Sequence, residues 1–293
     1  MSEYDVTVII AEELAAGNLQ RVFAALDPGR RPRVEFIVCS SSPVAALPGV
    51  PELDNVWVLQ AAGNARIPVL WRDGIKAASA AYVALTTAHC VPAVDWLDRL
   101  LSYDLASELV AVGGAIENRQ GDCAHGRAIH MLRYVRYPKA RPATLTSDLA
   151  ADNAIYRKAA IMAYPELLEL GFWEPSFHER FIAGGLVMRY DPELVVIHHN
   201  QYGVRQFMAQ RYEHGIEFGA ARAEAMSTAR RCLMLCLSPL IPFVFGRKIL
   251  TQAHSYGLRI GSATEAGWLV VFLLAWSVGE TLGYLRPKNQ KRH

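Results

Sequence analysis

Short β-branched runs alternate with helix-patterned segments through the first 116 residues, and no other feature constrains the fold so tightly. Val6–Ala11 (VTVIIA) and Val34–Cys39 (VEFIVC) lack the polar alternation of a half-exposed strand, so they read as strands buried on both faces. Val56–Leu59, Tyr82–Leu85 and Leu109–Ile116 read as a third, fourth and fifth strand. Leu19–Leu26, Val69–Ala80 and Asp95–Tyr103 carry helical spacing, and the first of them stops at Asp27-Pro28-Gly29. Short links between such elements imply right-handed crossovers, hence an α/β fold with a doubly wound, mainly parallel sheet and helices on both faces. Ligands bind such sheets at the carboxyl ends of the strands, which directs attention to the loops after Ala11, Cys39 and Leu85. Further on, Pro165–Leu170 reads as a helix and Leu194–Ile197 as a last strand.

From Gly121 to Ser147 the chain turns basic and irregular. Arg127, Arg133, Arg136, Lys139 and Arg141 alternate with His125, His130, Tyr134 and Tyr137. Two readings stand: a flexible segment over the site that meets an anionic substrate, or a solvated excursion.

After residue 204 the character changes. Val204–Arg231 is a helical stretch rich in alanine and arginine, and Cys232–Phe245 is strongly apolar but interrupted by Pro239 and Pro242. A bilayer span needs about 20 apolar residues, so that segment is short, whereas Ala266–Leu285 has the length but contains Glu280. Arg230/Arg231, Arg247/Lys248 and then Arg286, Lys288, Lys291 and Arg292 flank both segments with the charge that anionic headgroups attract. These features predict a helical membrane-docking region over 221–293, as a hairpin or in-plane helices, with a soluble helical subdomain as the alternative. Composition agrees: 52% of residues are hydrophobic and 20% charged, against roughly 45–50% and about 25% in average soluble domains. A net charge of +2 does not suggest a nucleic-acid binder. Five scattered cysteines form no C-x-x-C, which fits a reducing compartment. Cys232 and Cys236 are expected to be buried apolar filler. The acidic Met1–Asp5 and the short run after it predict no signal peptide.

No G-x-G-x-x-G, Walker loop, G-x-S-x-G or H-E-x-x-H occurs. A series of segments carries a resemblance instead. Asp5–Ala11 with Asn18-Leu19, the strand Val34–Ser42, Gly74-Ile75-Lys76-Ala77-Ala78, and Tyr82–Leu85 with Val91-Pro92 and Trp96-Leu97 come first. Asn153-Ala154 with Arg157-Lys158, Phe172-Trp173-Glu174, Gly184/Gly185, Asp191-Pro192 and His198 follow in order. Over about residues 5–220 the chain resembles a family 2 glycosyltransferase of the GT-A fold. Ala275-Trp276, Gly279-Glu280 and Gly283-Tyr284-Leu285 resemble the tail of some bacterial members.

The resemblance implies a GT-A-like domain over 1–220 that moves a sugar from an activated nucleotide- or lipid-linked donor to a hydroxyl of a glycan or lipid, with inversion, at the cytoplasmic face of the inner membrane. Glu174 takes the place of the catalytic base, with Glu179 in reserve, since inversion needs a carboxylate to deprotonate the acceptor. For Glu174 a plain role as an acid at a helix N-terminus, ahead of Pro175, stands beside it. Ala11, Glu12, Ser40, Thr87 and His89 fall on the donor side, Asn153 and Trp173 on the acceptor side. Asn153 has a second reading as a helix cap. The family's D-x-D, which holds Mg²⁺ or Mn²⁺ against the donor diphosphate, is replaced by Thr87-Ala88-His89. The acid ending the second strand is replaced by Cys39 or Ser40. Three explanations remain: His89, His198 and cationic residues handle the diphosphate, with or without a metal on the two histidines; the donor is lipid-linked; or the chain is a catalytically silent module that binds a glycan or lipid. Trp71 and Trp96 are expected in the core.

Overall fold

The computed structural model describes residues 3–13, 18–43, 47–63, 65–105, 108–200, 202–224 and 226–285. They form two compact units: 1–119 with 137–199, and 120–136 with 200–293.

The first unit is built on a nine-stranded sheet with the order β3-β2-β1-β4-β8-β6-β9-β5 and β7 also on β9. Its strands are β1 (Val6–Glu12), β2 (Val34–Ser40), β3 (Val56–Gln60), β4 (Tyr82–Thr87), β5 (Cys90–Pro92), β6 (Leu109–Asn118), β7 (Thr144–Thr146), β8 (Asn153–Arg157) and β9 (Val187–His198). Every residue of β1 and β2 is buried, as their continuous apolar runs require. β1 pairs parallel with β2 on one side and β4 on the other, and β2 with β3. The chain therefore winds outward through β2 and β3, then crosses back to β4. In open α/β sheets such a reversal is where the ligand crevice lies, which here falls at the carboxyl ends of β1 and β4. Beyond β4 the sheet is mixed, because β8 runs antiparallel between β4 and β6.

Helices cover the sheet where their apolar faces demand it. α1 (Leu19–Leu26) buries Leu19, Val22, Phe23 and Leu26, an i, i+3, i+4, i+7 stripe, and ends on a left-handed Asp27 whose N–H donates to Phe23 O. α2 (Ile67–Ala77) packs through Gly74, where a Cβ would lie 2.9 Å from Cys39 Sγ and closer still to Ile9. α3 (Trp96–Leu101), α5 (Lys158–Met162), α6 (Pro165–Glu169) and α7 (Glu174–Ala183) complete the unit. Trp71 and Trp96 are core residues, as expected. Asn153 does not cap a helix: it opens β8, a short apolar strand that periodicity alone cannot tell from a helix segment.

The second unit contains α4 (Ala124–Tyr134), α8 (Val204–Glu224), α9 (Thr228–Leu237), α10 (Ile241–Ser255) and α11 (Ala263–Leu285). The basic segment from 121 to 147 is thus not irregular throughout. Its first part is a helix that buries Gly126, Ala128, Ile129, Met131 and Tyr134, and residues 144–146 form an edge strand. α8 and α11 meet through Gly215 and Gly219 on one side and Gly279 and Gly283 on the other. A Cβ at any of the four would run into the backbone of the facing helix, so only glycine permits this approach. Glu280 is buried there but answered: Arg222 lies 3.3 Å away, Trp276 Nε1 donates at 2.9 Å and Tyr284 Oη at 2.7 Å. That satisfies the charge which makes Ala266–Leu285 an unusual span.

Two helical stretches, Thr228–Ser255 and Ala263–Leu285, are long and apolar enough to cross a membrane. Cys232–Phe245 belongs to a longer helical run than its apolar core suggests. Only 6% of the apolar window in Thr228–Ser255 is buried, and Phe243 is 75% exposed. Cys232 and Cys236 are accordingly exposed rather than buried, since α9 buries no residue at all. The basic residues Arg286, Lys288, Lys291 and Arg292 lie outside the described residues.

Candidate active site

The ends of β1 and β4 frame the crevice. Ala11 pairs with Thr87 across the two strands, and Ala88 N donates to Ala11 O at 3.0 Å, which fixes the Thr87-Ala88-His89 turn against β1. Glu12 is buried at the end of β1, and Ser40 ends β2 with its Oγ accepting from Ser42 N at 3.0 Å. The loops after β1 and β2 fall partly outside the described residues, at 14–17 and 44–46.

Strand pairing then gathers the rest. β5 runs antiparallel to β9, so Cys90 stands opposite His198, and His199 N donates to His89 O at 2.7 Å. The rings of His89 and His198 meet edge-on with centroids 5.7 Å apart. β8 runs antiparallel to β4 with Asn153 opposite Thr86, which sets the preceding residue, Asp152, beside the end of β4. Thr87 Oγ1 donates to Asp152 Oδ1 at 3.4 Å, and that oxygen lies 3.8 Å from His89 Nε2 and 4.0 Å from Cys90 Sγ. A buried carboxylate therefore stands beside the Thr87-Ala88-His89 turn, supplied by the turn that leads into β8. The sequence reading passed over Asp152; its signal was adjacency to Asn153 at a strand start, readable only once β8 is known to pair with β4.

Asn153 itself is fully buried. Its Nδ2 donates to Ala115 O and Leu194 O, both at 2.8 Å, and its Oδ1 accepts from Trp96 Nε1 at 2.7 Å. The amide ties β6, β8, β9 and α3 together, which is positioning rather than acceptor contact.

Glu174 opens α7, and the aromatic block of Tyr156, Phe172 and Phe177 anchors that helix start. Its Oε1 accepts from Ala151 N at 3.2 Å, one residue from Asp152. Burial, then the negative charge of Asp152, push the Glu174 carboxyl up to about 7, against the opposing pull of the Ala151 N–H. A carboxyl poised near neutrality is the property a general base needs. Trp173 beside it is 38% exposed, with Nε1 donating to Leu170 O. Glu179 is exposed, about 140° further round the helix, and stands apart from the group.

His89, Cys90 and Asp152 present ligand atoms within 4.8 Å of one another, all buried. A set of nitrogen, sulfur and oxygen suits a borderline transition-metal ion. It does not fit Mg²⁺, which takes about six oxygens in near-octahedral order. Of the Mg²⁺ or Mn²⁺ that the resemblance implies, Mg²⁺ is thus not matched by this His-Cys-Asp group.

A scan against protein-family models gives no match, and neither does a search of curated protein sequences. Solved structures do match. The mannosyltransferase PcManGT from Pyrobaculum calidifontis, in complex with GDP-Man and Mn²⁺, aligns over 97% of this chain and 88% of its own, with a TM-score of 0.55 and 16% identity. S. aureus TarS, residues 1–349 in complex with UDP-GlcNAc, aligns over 71% of this chain and 65% of its own, with a TM-score of 0.51 and 10% identity. The fold is GT-A-like. At these identities the likeness speaks to the fold, and the chemistry rests on the chain's own residues.

Proposed function

We propose that this chain is an inverting glycosyltransferase of the family 2 type. It moves a sugar from a nucleotide-linked donor to a hydroxyl acceptor at a membrane surface, on the cytoplasmic face. The observation that carries the reading is Glu174: a carboxyl raised towards neutrality and held by Ala151 N–H beside Asp152, at the crevice edge of a GT-A-like sheet. Both solved neighbours with matching folds bind nucleotide sugars, GDP-Man in one and UDP-GlcNAc in the other.

In the reaction, Glu174 takes the proton of the acceptor hydroxyl. The freed oxygen attacks the anomeric carbon from the face opposite the diphosphate, the bond from that carbon to the phosphate oxygen breaks, and the nucleoside diphosphate leaves. Inversion follows from that opposite-face attack. His89 and His198 stand on the diphosphate side, where ring N–H groups donate to the leaving oxygens. Asp152 acts through Glu174, keeping its proton affinity high, and Asn153 holds the strands in place.

Calorimetry with a panel of nucleotide sugars, followed by turnover of the one that binds, tests the reading. Glu174→Gln should bind that donor as the parent does and transfer it about a hundredfold or more slowly. The missing D-x-D acids favour a second reading, a silent glycan- or lipid-binding module, and donor binding by no nucleotide sugar would support it.

A further inference from the structure

The second unit has a cationic pocket that opens beside an apolar cleft. The pocket, about 210 Å³ in volume, is lined by Arg133, Arg136, Arg211 and Lys248 with Trp276 behind them, and no acidic residue lines it. Arg211 is the telling member. Its guanidinium sits 4.3 Å over the Trp276 ring, and its buried Nε finds no hydrogen-bond acceptor among the described residues. Burial, then the nearby charge of Arg133, pull the Arg211 pKa down to about 10. A buried guanidinium whose Nε lacks an acceptor, in a lining without a carboxylate, favours an anion there. Guanidinium forks match the oxygens of a phosphate group in geometry as well as charge.

The cleft settles what the anion is attached to. About 600 Å³ in volume, it lies between α10 and α11 and is lined by Pro242, Phe243, Leu250, Leu269 and Leu274. Ile249 and Leu273 line both spaces, so the two adjoin. A free phosphate would use the pocket and leave the cleft idle, whereas an acyl or prenyl chain buries apolar surface there.

We propose that the second unit holds a phosphorylated lipid, with its phosphate among Arg133, Arg136, Arg211 and Lys248 and its hydrocarbon chain in the cleft between α10 and α11. The proposal rests on the membrane-docking reading of these helices and is independent of the transfer chemistry.

The test uses the full chain and three soluble probes in calorimetry: dihexanoyl phosphatidic acid, dihexanoyl phosphatidylcholine and glycerol phosphate. The phosphatidic acid should bind roughly tenfold or more tightly than either of the others. Arg136→Gln with Lys248→Gln, both at exposed positions, should weaken it by a similar factor while the circular dichroism stays that of the parent. Arg211→Lys should keep part of the affinity, since charge survives without the fork. Equal binding of the phosphatidylcholine would overturn the phosphate pocket, and equal binding of glycerol phosphate would overturn the lipid chain. A chain that floats with phosphatidylcholine vesicles yet binds no short-chain phosphatidic acid would keep membrane docking and overturn this site.

Discussion

At the scale of single residues, the proposed chemistry centres on Glu174 and its neighbours. Removing the base should lower turnover by about 10²–10⁴-fold, which single-turnover assays on Glu174→Gln would check. The raised carboxyl also sets a pH dependence. Glu174 must be ionised to accept a proton, so kcat/KM should rise with pH through about 7 and fall away below it. Asp152→Asn removes one cause of the raised value, so the acid limb should move to lower pH, with burial retaining part of the shift. Stability carries the opposite sign. The folded chain holds that proton more tightly than the unfolded chain, so this group's contribution is present below 4.5 and lost as pH rises through about 7. The Tm of the parent should fall relative to that of Glu174→Gln as pH rises through that window, and a difference that stays constant would show that the group contributes nothing. Glu174, His89 and His198 were singled out from an ordered series of local motifs, and the structure brings the two histidine rings together. Asp152 was not singled out, because it reaches the site through an antiparallel pairing that no periodicity announces. Asn153 was legible as important but not as what it is, a buried knot with its amide fully engaged.

At the scale of elements, the parallel strands were readable because full burial leaves continuous β-branched runs. The helix of 124–134 was hidden by its basic residues, which sit among the small and apolar positions it buries. The α8–α11 contact was written in two glycine pairs at a spacing of four, yet alanine and arginine dominate the surroundings of the first pair. Gly279→Leu should drive a side chain into the Tyr212 backbone and destabilise the chain by about 1–3 kcal/mol or more, read as a lowered Tm. Gly267→Ala on the same helix meets nothing within 4 Å and should be neutral or stabilising by up to about 1 kcal/mol. An unchanged Tm for Gly279→Leu, or an equal loss at both positions, would show that close approach does not govern this contact.

At the scale of the whole molecule, the apolar excess has a location. Leu233, Leu237, Leu240, Phe243 and Val244 are exposed along Thr228–Ser255, where a water-soluble surface would carry polar groups. Vesicle flotation should therefore recover the parent chain with the lipid, and Phe243→Asp with Val244→Asp should leave it in solution with its fold intact. The near-neutral total charge does not report where this apolar surface lies, and only placing the residues reveals it. The claim at the centre is that the crevice beside Thr87-Ala88-His89 receives a nucleotide sugar and that Glu174 starts its transfer. Donor calorimetry on the parent and Glu174→Gln, paired with product analysis by NMR, measures both together. The expected result is one nucleotide sugar bound equally by the two proteins, with inverted product that the parent forms about a hundredfold or more faster. Undiminished turnover by Glu174→Gln, or no nucleotide sugar bound by either, would contradict it.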